Sequence, residues 1–193
     1  MAPKNSKLNK LNILLGVTGG IAAYKAVDLA SKLAAAGAQV KTVMTASATR
    51  LVRPRSFEAV TQSSVYTTMW QEPGEFEISH ISLADWADIV VIAPATANVL
   101  GKMANGLCDD LLTTTLCAAW TKPILLAPAM NENMWNNPAV KWNVKSLQQM
   151  GIMMIGPARG RLACGTEGVG RMAEPADILE ALEKIASKIK SKK

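Results

Sequence analysis

One cysteine in the sequence lies in a setting where a thiol could do acid–base or covalent chemistry. Cys164 stands in the segment 161–172, which contains three glycines and no proline. Arg161 and Arg171 flank it, and nearby cations favour the thiolate. A loop that closes over a ligand excludes water from a reacting centre. We therefore predict a mobile flap with a functional cysteine at 161–172, whereas Cys108 and Cys117 are expected to be buried and inert.

An imidazole and a side-chain amide are the other candidates for chemistry. His80 is the single histidine of the sequence, and imidazole suits general-base catalysis because it titrates close to neutral pH. His80 would be structural or merely exposed if it did not face the same cleft as a substrate. Asn131 follows an apolar run and can donate a hydrogen bond to a carboxylate or a carbonyl. Methionines such as its neighbour Met130 more often fill gaps in a core, so Asn131 is the stronger candidate.

Two glycines at a strand-to-helix turn indicate a phosphate site. Gly19 and Gly20 follow the apolar run 11–17, and glycines there let backbone N–H groups approach a phosphate at the helix N-terminus. The full dinucleotide fingerprint is missing, because no third glycine stands three residues after Gly19 and the second strand does not end in an acid. The hydroxyl-rich segment 45–49 follows instead, which suits a single phosphate or the polar edge of an isoalloxazine. The alternative interpretation is a tight turn with packing glycines.

Small and hydroxylic residues also follow the third predicted strand. The segment 96–98 reads Thr-Ala-Asn, which leaves room for a flat ring and offers hydrogen bonds. Thr96 could equally be a plain helix N-cap. A metal centre or a disulfide framework is not expected, because the three cysteines form no Cys-x-x-Cys pair and no cluster of ligands has metal-binding spacing.

The positive charge of the chain is concentrated at its two ends. The formal net charge is +6, yet the first ten and last ten residues hold eight lysines and no acid, and the remainder carries 13 basic and 15 acidic residues. A nucleic-acid role would need a basic patch on the folded body, so none is expected. The longest apolar runs are far shorter than a membrane span, and no signal core precedes the first strand. We therefore expect a cytosolic protein with no membrane partner.

Strands and helices alternate along the chain. Apolar runs without alternation are typical of strands buried on both faces. The order predicts an α/β fold, with a doubly wound, Rossmann-like or flavodoxin-like parallel sheet in three layers. Ligands of such sheets bind beyond the carboxyl ends of the strands, where the candidate residues fall. The predicted strands are 11–17, 39–44, 89–93, 124–127 and 152–155, and the predicted helices are 21–36, 96–105, 109–119, 139–150 and one that begins at Pro175. We expect one domain at 11–189, with flexible basic tails at 1–10 and 190–193.

Taken together, the motifs resemble the homo-oligomeric flavin-containing cysteine decarboxylases. The resemblance covers 11–183 and is most specific at Pro-x-Met-Asn-x-x-Met-Trp (128–135), at Ala-Cys-Gly (163–165), and at the histidine that precedes Trp-Ala-Asp, here His80. It implies an FMN-dependent carboxy-lyase that converts 4′-phosphopantothenoylcysteine to 4′-phosphopantetheine in coenzyme A synthesis. It also implies a homotrimer or a dodecamer of trimers with the active site between subunits.

The resemblance also implies a role for each matching residue. His80 would be the base, Cys164 the acid, and Asn131 would hold the substrate's carboxylate or amide. Met134, Arg161 and Ala163 would contact the substrate, the last two from the flap. The residues implied for FMN contact are Gly19, Gly20, Ile21, Thr45, Ser47, Thr96, Ala97, Asn98, Val99 and Ala129.

The implied mechanism explains why a flavin would be needed to remove CO₂ from a cysteine. The carbanion left by simple decarboxylation has no electron sink, and oxidation of the thiol to a thioaldehyde supplies one. Flavin can accept that hydride and return it after CO₂ has left an enethiolate, so no net redox change occurs. Cys164 would supply the final proton.

Three other functions are compatible with parts of this pattern. A peptidyl-cysteine decarboxylase would share His80 and the asparagine motif but lack the cysteine flap. A flavin prenyltransferase would lack both motifs. A non-catalytic flavin-binding regulatory subunit would not be expected to keep His80, Asn131 and Cys164 together. The sequence leaves open whether the chain is free-standing or part of a bifunctional protein with a synthetase domain.

Overall fold

A parallel six-stranded sheet forms the centre of the molecule. The computed structural model describes residues 6–70, 79–161, 165 and 167–191. The strand order is β3-β2-β1-β4-β5-β6, and every neighbouring pair is parallel. This is the order of the doubly wound dinucleotide-binding folds, in which the chain reverses direction across the sheet between β1 and β4. The predicted α/β class, with its parallel sheet, is confirmed. The six strands are Asn12–Val17, Gln39–Met44, Val65–Tyr66, Ile89–Ala95, Ile124–Pro128 and Met153–Met154.

Helices cover both faces of this sheet. Among the described residues, α1, α3 and α9 pack on one face, and α4, α5, α6 and α8 pack on the other. In chain order the helices α1 to α9 are Ala23–Ala35, Ala46–Thr49, Pro54–Thr61, Ser79–Trp86, Ala97–Ala104, Leu111–Ala118, Glu132–Asn136, Pro138–Gln149 and Pro175–Lys190. An antiparallel hairpin of β7 (Ala158–Arg161) and β8 (Glu167–Arg171) stands apart from the main sheet. No helix in the described ranges is long and apolar enough to cross a membrane.

The central strands are apolar at nearly every position, because they are buried on both faces. In β1, Ile13 and Leu15 belong to the core cluster beneath α1 and α9, whereas Leu14 belongs to the cluster beneath α4 to α6. Gly16 has no side chain because Leu112 of α6 and Ile92 of β4 fill the space where a Cβ would stand. This close approach brings α6 onto the sheet at the end of β1 where the chain turns towards α1.

The structure differs from the sequence prediction mainly at short or marginal elements. The predicted 109–119 helix begins at Leu111, because Asp110 is its N-cap and forms a capping box with Thr113. The short strand β3 and the hairpin were not predicted, since two to five residues carry too little pattern. The predicted frayed tail 1–10 is wrong for residues 6–10: Leu8 is 0% exposed in the core, and the Ser6 hydroxyl donates to Glu183 at 2.9 Å.

Candidate active site at the carboxyl edge of the sheet

A cavity of about 780 Å³ opens beyond the carboxyl ends of β1, β4 and β5. That size lies in the range of about 300–1,000 Å³ found for small-molecule and cofactor sites. Four stretches of chain form its wall: the β1–α1 turn with the first turn of α1, the start of α5, the segment after β5, and the hairpin. The lining residues are Gly19, Gly20, Ile21, Ala22, Tyr24, Lys25, Thr96, Ala97, Ala129, Met130, Asn131, Met134, Arg161, Gly170, Arg171 and Met172.

A buried hydroxyl joins the two loops at the point where the sheet order reverses. Thr18 is 2% exposed, and its Oγ1 donates to the carbonyl of Pro94 at 2.6 Å. The same oxygen accepts from the N–H of Thr96 at 3.2 Å. The β1–α1 turn and the β4–α5 turn are therefore fixed relative to each other by one side chain. Buried polar groups that are fully paired in this way hold a backbone in one arrangement.

The two glycines of the β1–α1 turn allow close approach of neighbouring loops. A Cβ on Gly19 would collide with Ser47, so the turn packs directly on the loop after β2. A Cβ on Gly20 would stand 3.4 Å from Thr96 and 3.5 Å from Pro94. Both the packing interpretation and the phosphate interpretation of these glycines are compatible with this geometry, since the bare backbone also faces the cavity.

The start of α5 borders the cavity. Thr96 is the N-cap of this eight-residue helix, but its side chain makes no capping hydrogen bond. The first N–H groups of a helix have no partner within the helix and favour negative charge. Thr96 and Ala97 line the cavity at this point. Thr45, by contrast, is the N-cap of α2, and its hydroxyl accepts from the Ala48 N–H at 3.3 Å.

The segment after β5 is tied to both sides of the cavity by its backbone. Ala129 donates to the Ala95 carbonyl at 3.1 Å, and Met130 donates to the Gly170 carbonyl at 3.0 Å. Asn131 then acts as the N-cap of α7, with its Oδ1 accepting from the Asn133 N–H at 2.8 Å. The capping bond fixes the orientation of the amide, and Asn131 lines the cavity.

The hairpin is fastened to the same segment through a carboxylate. Glu132 lies where a Cβ on Gly168 would stand, and its Oε1 accepts from the Val169 N–H at 3.0 Å. Gly168 is buried, as is Gly170 in the same strand. The contact holds Arg161 and Arg171 of the hairpin at the rim of the cavity. Ala163 and Cys164, predicted for this flap, lie outside the described residues.

Three cations and one carboxylate give this side of the cavity its charge. Glu174 accepts from Lys25 at 2.7 Å and from Arg171 at 2.7 Å, both at Oε1. The hydrogen bond from Lys25, with further attraction from Arg171, lowers the pKa of the Glu174 carboxyl below its ordinary value. Arg161 is the third cation, so the wall has a surplus of positive charge.

Most of the residues that the resemblance implied for cofactor contact lie around this cavity. Gly19, Gly20, Ile21, Thr96, Ala97 and Ala129 line it. Thr45 lines a smaller neighbouring pocket of about 150 Å³, and Ser47 lies beneath Gly19. Asn98 is exposed. Val99 is 2% exposed and its side chain packs in the core, so its predicted contact with the cofactor would be made mainly through its backbone.

His80 does not line the cavity within one chain. It is half-buried in the first turn of α4, which packs against α6. At the other end of α4, Trp86 stacks against the Lys41 ammonium of β2, 4.7 Å from the ring centre. The helix therefore covers the β2 side of the sheet, whereas Asn131 and the hairpin lie beyond β5.

The prediction that Cys108 and Cys117 are buried is wrong, since both are exposed.

Sequence reasoning assigned no role to three residues that shape this site. Thr18 lies between the apolar run 11–17 and the glycines, and its hydroxyl at the end of a buried strand was the signal that could have identified it. Lys25 lies in the first turn of α1 and was not distinguishable from a surface lysine. Glu174 precedes the proline that begins α9, and no local pattern links it to Lys25, which is 149 residues away.

The ion pairs of Glu174 with Lys25 and Arg171 should make a pH-dependent contribution to the free energy of unfolding. Because the folded pKa of Glu174 is lowered, this contribution is present above the ordinary glutamate pKa of about 4.3 and is lost as the pH falls through the lower folded value. Glu174→Gln should cost at most about 1 kcal/mol at pH 7, since the pair is partly exposed. Urea unfolding of both proteins from pH 7 to pH 3 measures this difference. A difference that grows towards low pH would contradict the assignment.

Comparison with other proteins agrees with this architecture. A model of the Flavoprotein family matches residues 1–187. The chain is 54% identical over 177 residues to the coenzyme A biosynthesis bifunctional protein CoaBC of Bacillus subtilis (strain 168), and the alignment covers 92% of this chain and 43% of that protein. The chain therefore spans less than half the length of this curated relative.

Two solved structures share both the fold and a substantial part of the sequence. A PPC decarboxylase with one cysteine replaced by serine, complexed with pantothenoylaminoethenethiol, superposes with a TM-score of 0.84 at 39% identity, over 92% of this chain and 98% of that one. The FMN binding protein AtHal3 superposes with a TM-score of 0.81 at 39% identity, over 92% and 97% of the two chains. Since the family match extends over nearly the whole sequence and includes every segment that lines the cavity, this chain belongs to the Flavoprotein family.

Proposed function

We propose that this chain is an FMN-dependent decarboxylase of 4′-phosphopantothenoylcysteine that acts in coenzyme A synthesis in the cytosol. The observation that carries the proposal is a single cavity in which the Gly19–Gly20 turn faces the Asn131 segment. The first is suited to a phosphate-bearing cofactor and the second to a substrate carboxylate. Two relatives described above support the proposal: the PPC decarboxylase supports the reaction, and the FMN binding protein supports the cofactor.

The residues around the cavity fit FMN rather than a dinucleotide. Gly19 and Gly20 give the bare backbone that a phosphate needs at close range, with the hydroxyls of Thr45 and Ser47 on the β2 side of the turn. Ile21, Thr96, Ala97 and Ala129 would border the ring, joined by the backbone of Asn98 and Val99. No acid follows β2 to hold an adenosine ribose. When bound, FMN supplies reversible hydride acceptance, which the loss of CO₂ from a cysteine requires because its carbanion has no other electron sink.

The chain's own residues would bind the substrate and move its protons. The Asn131 amide, oriented by its cap bond to Asn133, can donate to the cysteine carboxylate of the substrate. Met134 and Arg161 line the same space. Ala163 and Cys164 would come from the flap, with the Cys164 thiol returning the proton that completes 4′-phosphopantetheine. His80 would take the proton of the substrate thiol as the base.

A second copy of the chain is needed to complete this site. His80 lies on the β2 side of its own chain, and Asn131 lies beyond β5. In a ring of identical subunits, a heterologous contact brings different surfaces of neighbouring copies together. We infer that His80 of the partner subunit enters the cavity that Asn131 lines, in a homotrimer or a dodecamer of trimers.

An assay with two substrates tests the proposed reaction. The purified protein, loaded with FMN, should release CO₂ from 4′-phosphopantothenoylcysteine and not from a peptide that ends in cysteine. Cys164→Ser should decarboxylate the first substrate but accumulate the oxidised enethiol, because the thiol that returns the proton is missing. Mass spectrometry distinguishes the oxidised enethiol from 4′-phosphopantetheine by mass. Turnover of the peptide alone would instead identify a peptidyl-cysteine decarboxylase, and complete 4′-phosphopantetheine formation by Cys164→Ser would remove the role of the thiol.

Mixing two inactive variants tests whether the site is shared. His80→Asn and Asn131→Asp should each abolish turnover alone. After co-expression in equal amounts, about one quarter of the interfaces in a ring should pair an intact His80 with an intact Asn131, so about one quarter of wild-type activity should return. Separately purified variants that are combined without subunit exchange are the control. Absence of any recovery in verified mixed oligomers would mean that both residues act within one chain.

A further inference from the structure

Two cations at the cavity are held in place by a single carboxylate. Lys25 of α1 and Arg171 at the end of β8 both line the cavity, and both donate to Glu174 Oε1 at 2.7 Å. The Lys25 side chain is 16% exposed, against 38% for Arg171 and 49% for Glu174. Surface ion pairs usually involve more exposed side chains and little order. Here the lysine is largely withdrawn from water and its ammonium has a fixed position.

Arg171 is further oriented by the opposite strand of the hairpin. A Cβ on Gly160 would stand 2.6 Å from Nη1 and 2.9 Å from Cδ of Arg171. The arginine side chain therefore lies directly over the bare backbone of Gly160, with one nitrogen bonded to Glu174. A guanidinium fixed in this way is pre-organised to form paired hydrogen bonds with an oxyanion, because little rotamer freedom remains to be lost.

The described residues that line the cavity include three cations and no acid. Lys25, Arg161 and Arg171 are the cations, and Glu174, just outside the lining, bonds to the first and the last. A dianion entering this space would meet a net attraction, and arginine and lysine are the residue types that recognise phosphate, the first through two parallel bonds and the second as a point charge.

The position of the pair separates it from the turn assigned to the flavin phosphate. Thr45 and Ser47 follow β2, on one side of β1. Glu174 precedes α9, which packs against α1, and the strand that carries Arg171 is bonded to the segment after β5 through the Met130 N–H and the Gly170 carbonyl at 3.0 Å. The Lys25 ammonium is thus held beside Glu174 and Arg171 and close to the segment assigned to the substrate, whereas Thr45 and Ser47 follow β2.

We propose that Lys25 and Arg171, held by Glu174, form a subsite that recognises the terminal phosphate of the substrate. The inference rests on the proposed function, in which the substrate carries both a carboxylate and a phosphate. Asn131 serves the carboxylate, and the Lys25–Arg171 pair serves the phosphate at the other end of the molecule. The pair is a specificity determinant and takes no part in the bond changes.

Steady-state kinetics with phosphorylated and dephosphorylated substrate tests the subsite. In FMN-loaded protein, Arg171→Met and Lys25→Met should each raise KM for 4′-phosphopantothenoylcysteine about tenfold, the effect of losing one charge-assisted hydrogen bond. The kcat should change little, and KM for pantothenoylcysteine should stay within about twofold, since no interaction with that substrate is lost. Arg171→Lys should recover part of the affinity. Lys32→Met is the matched control, because Lys32 lies on the same helix and pairs with Asp28 outside the cavity.

Further outcomes distinguish a phosphate subsite from a purely structural role of the two cations or from a role in binding the cofactor phosphate. An equal rise in KM for both substrates would make the ion pairs structural, and loss of flavin absorbance from either variant would assign the cations to the cofactor phosphate. If the wild type decarboxylates neither compound, the proposed function fails, and calorimetry of 4′-phosphopantothenate and pantothenate binding then decides this inference separately. Preference for the phosphorylated compound that is lost in Arg171→Met supports the subsite, and equal binding of both compounds overturns it.

Discussion

The hydroxyl of Thr18 fixes the geometry on which the candidate site depends. It donates to the Pro94 carbonyl and accepts from the Thr96 N–H, so one buried side chain spans the two loops that diverge at the reversal of the strand order. In doubly wound sheets this divergence creates a crevice. Without a link across it, the glycine turn and the start of α5 would be free to move relative to each other. With the link, residues of both turns line one cavity.

The rest of the wall is attached to this centre by polar contacts between distant segments. Backbone bonds join the segment after β5 to β4 on one side and to β8 on the other. Glu132 and Glu174 each anchor the hairpin, the first through a backbone N–H and the second through Arg171. These contacts leave the positive side chains of the hairpin facing the cavity. The base of the hairpin is thus fixed, and the predicted flap residues Ala163 and Cys164 lie between its two strands in the sequence.

The fold was predictable from local pattern, whereas the grouping of site residues was only partly so. Strands such as 89–93 are apolar throughout because both faces are buried, and that pattern does not depend on any distant contact. The glycine turn and the asparagine segment were predictable because parallel strands direct their following loops to one edge. The bridge from Lys25 to Glu174 was not, because its partners are joined only by the packing of α9 on α1. The orientation of Val99 was a further difference: it was predicted with Asn98 to contact the cofactor, but the turn of the helix directs its side chain into the core.

The separation of His80 from Asn131 was also not predictable from local pattern, because it depends on the order of the strands in the sheet. A one-dimensional pattern places Asn131 at the carboxyl edge of the sheet, but it does not state on which side of β1 the helix with His80 lies. The strand order 3-2-1-4-5-6 places the element before β4 over the β2 side and the element after β5 on the opposite flank. Our proposal therefore places a site that uses both residues between neighbouring copies, at the interface that the sequence resemblance implied.

The central claim is that the crevice organised by Thr18 holds the flavin. Titration of FMN into apoprotein, followed by quenching of flavin fluorescence, tests it most directly when Thr18→Val is compared with Thr18→Ser. Valine keeps the shape but leaves the Pro94 carbonyl and the Thr96 N–H unpaired, which costs about 1–3 kcal/mol of stability. The two turns are then no longer held together before FMN binds, so Kd should rise about tenfold or more while the protein remains folded. Serine should bind FMN nearly as the wild type does. Unchanged FMN affinity in a folded Thr18→Val protein would contradict the account.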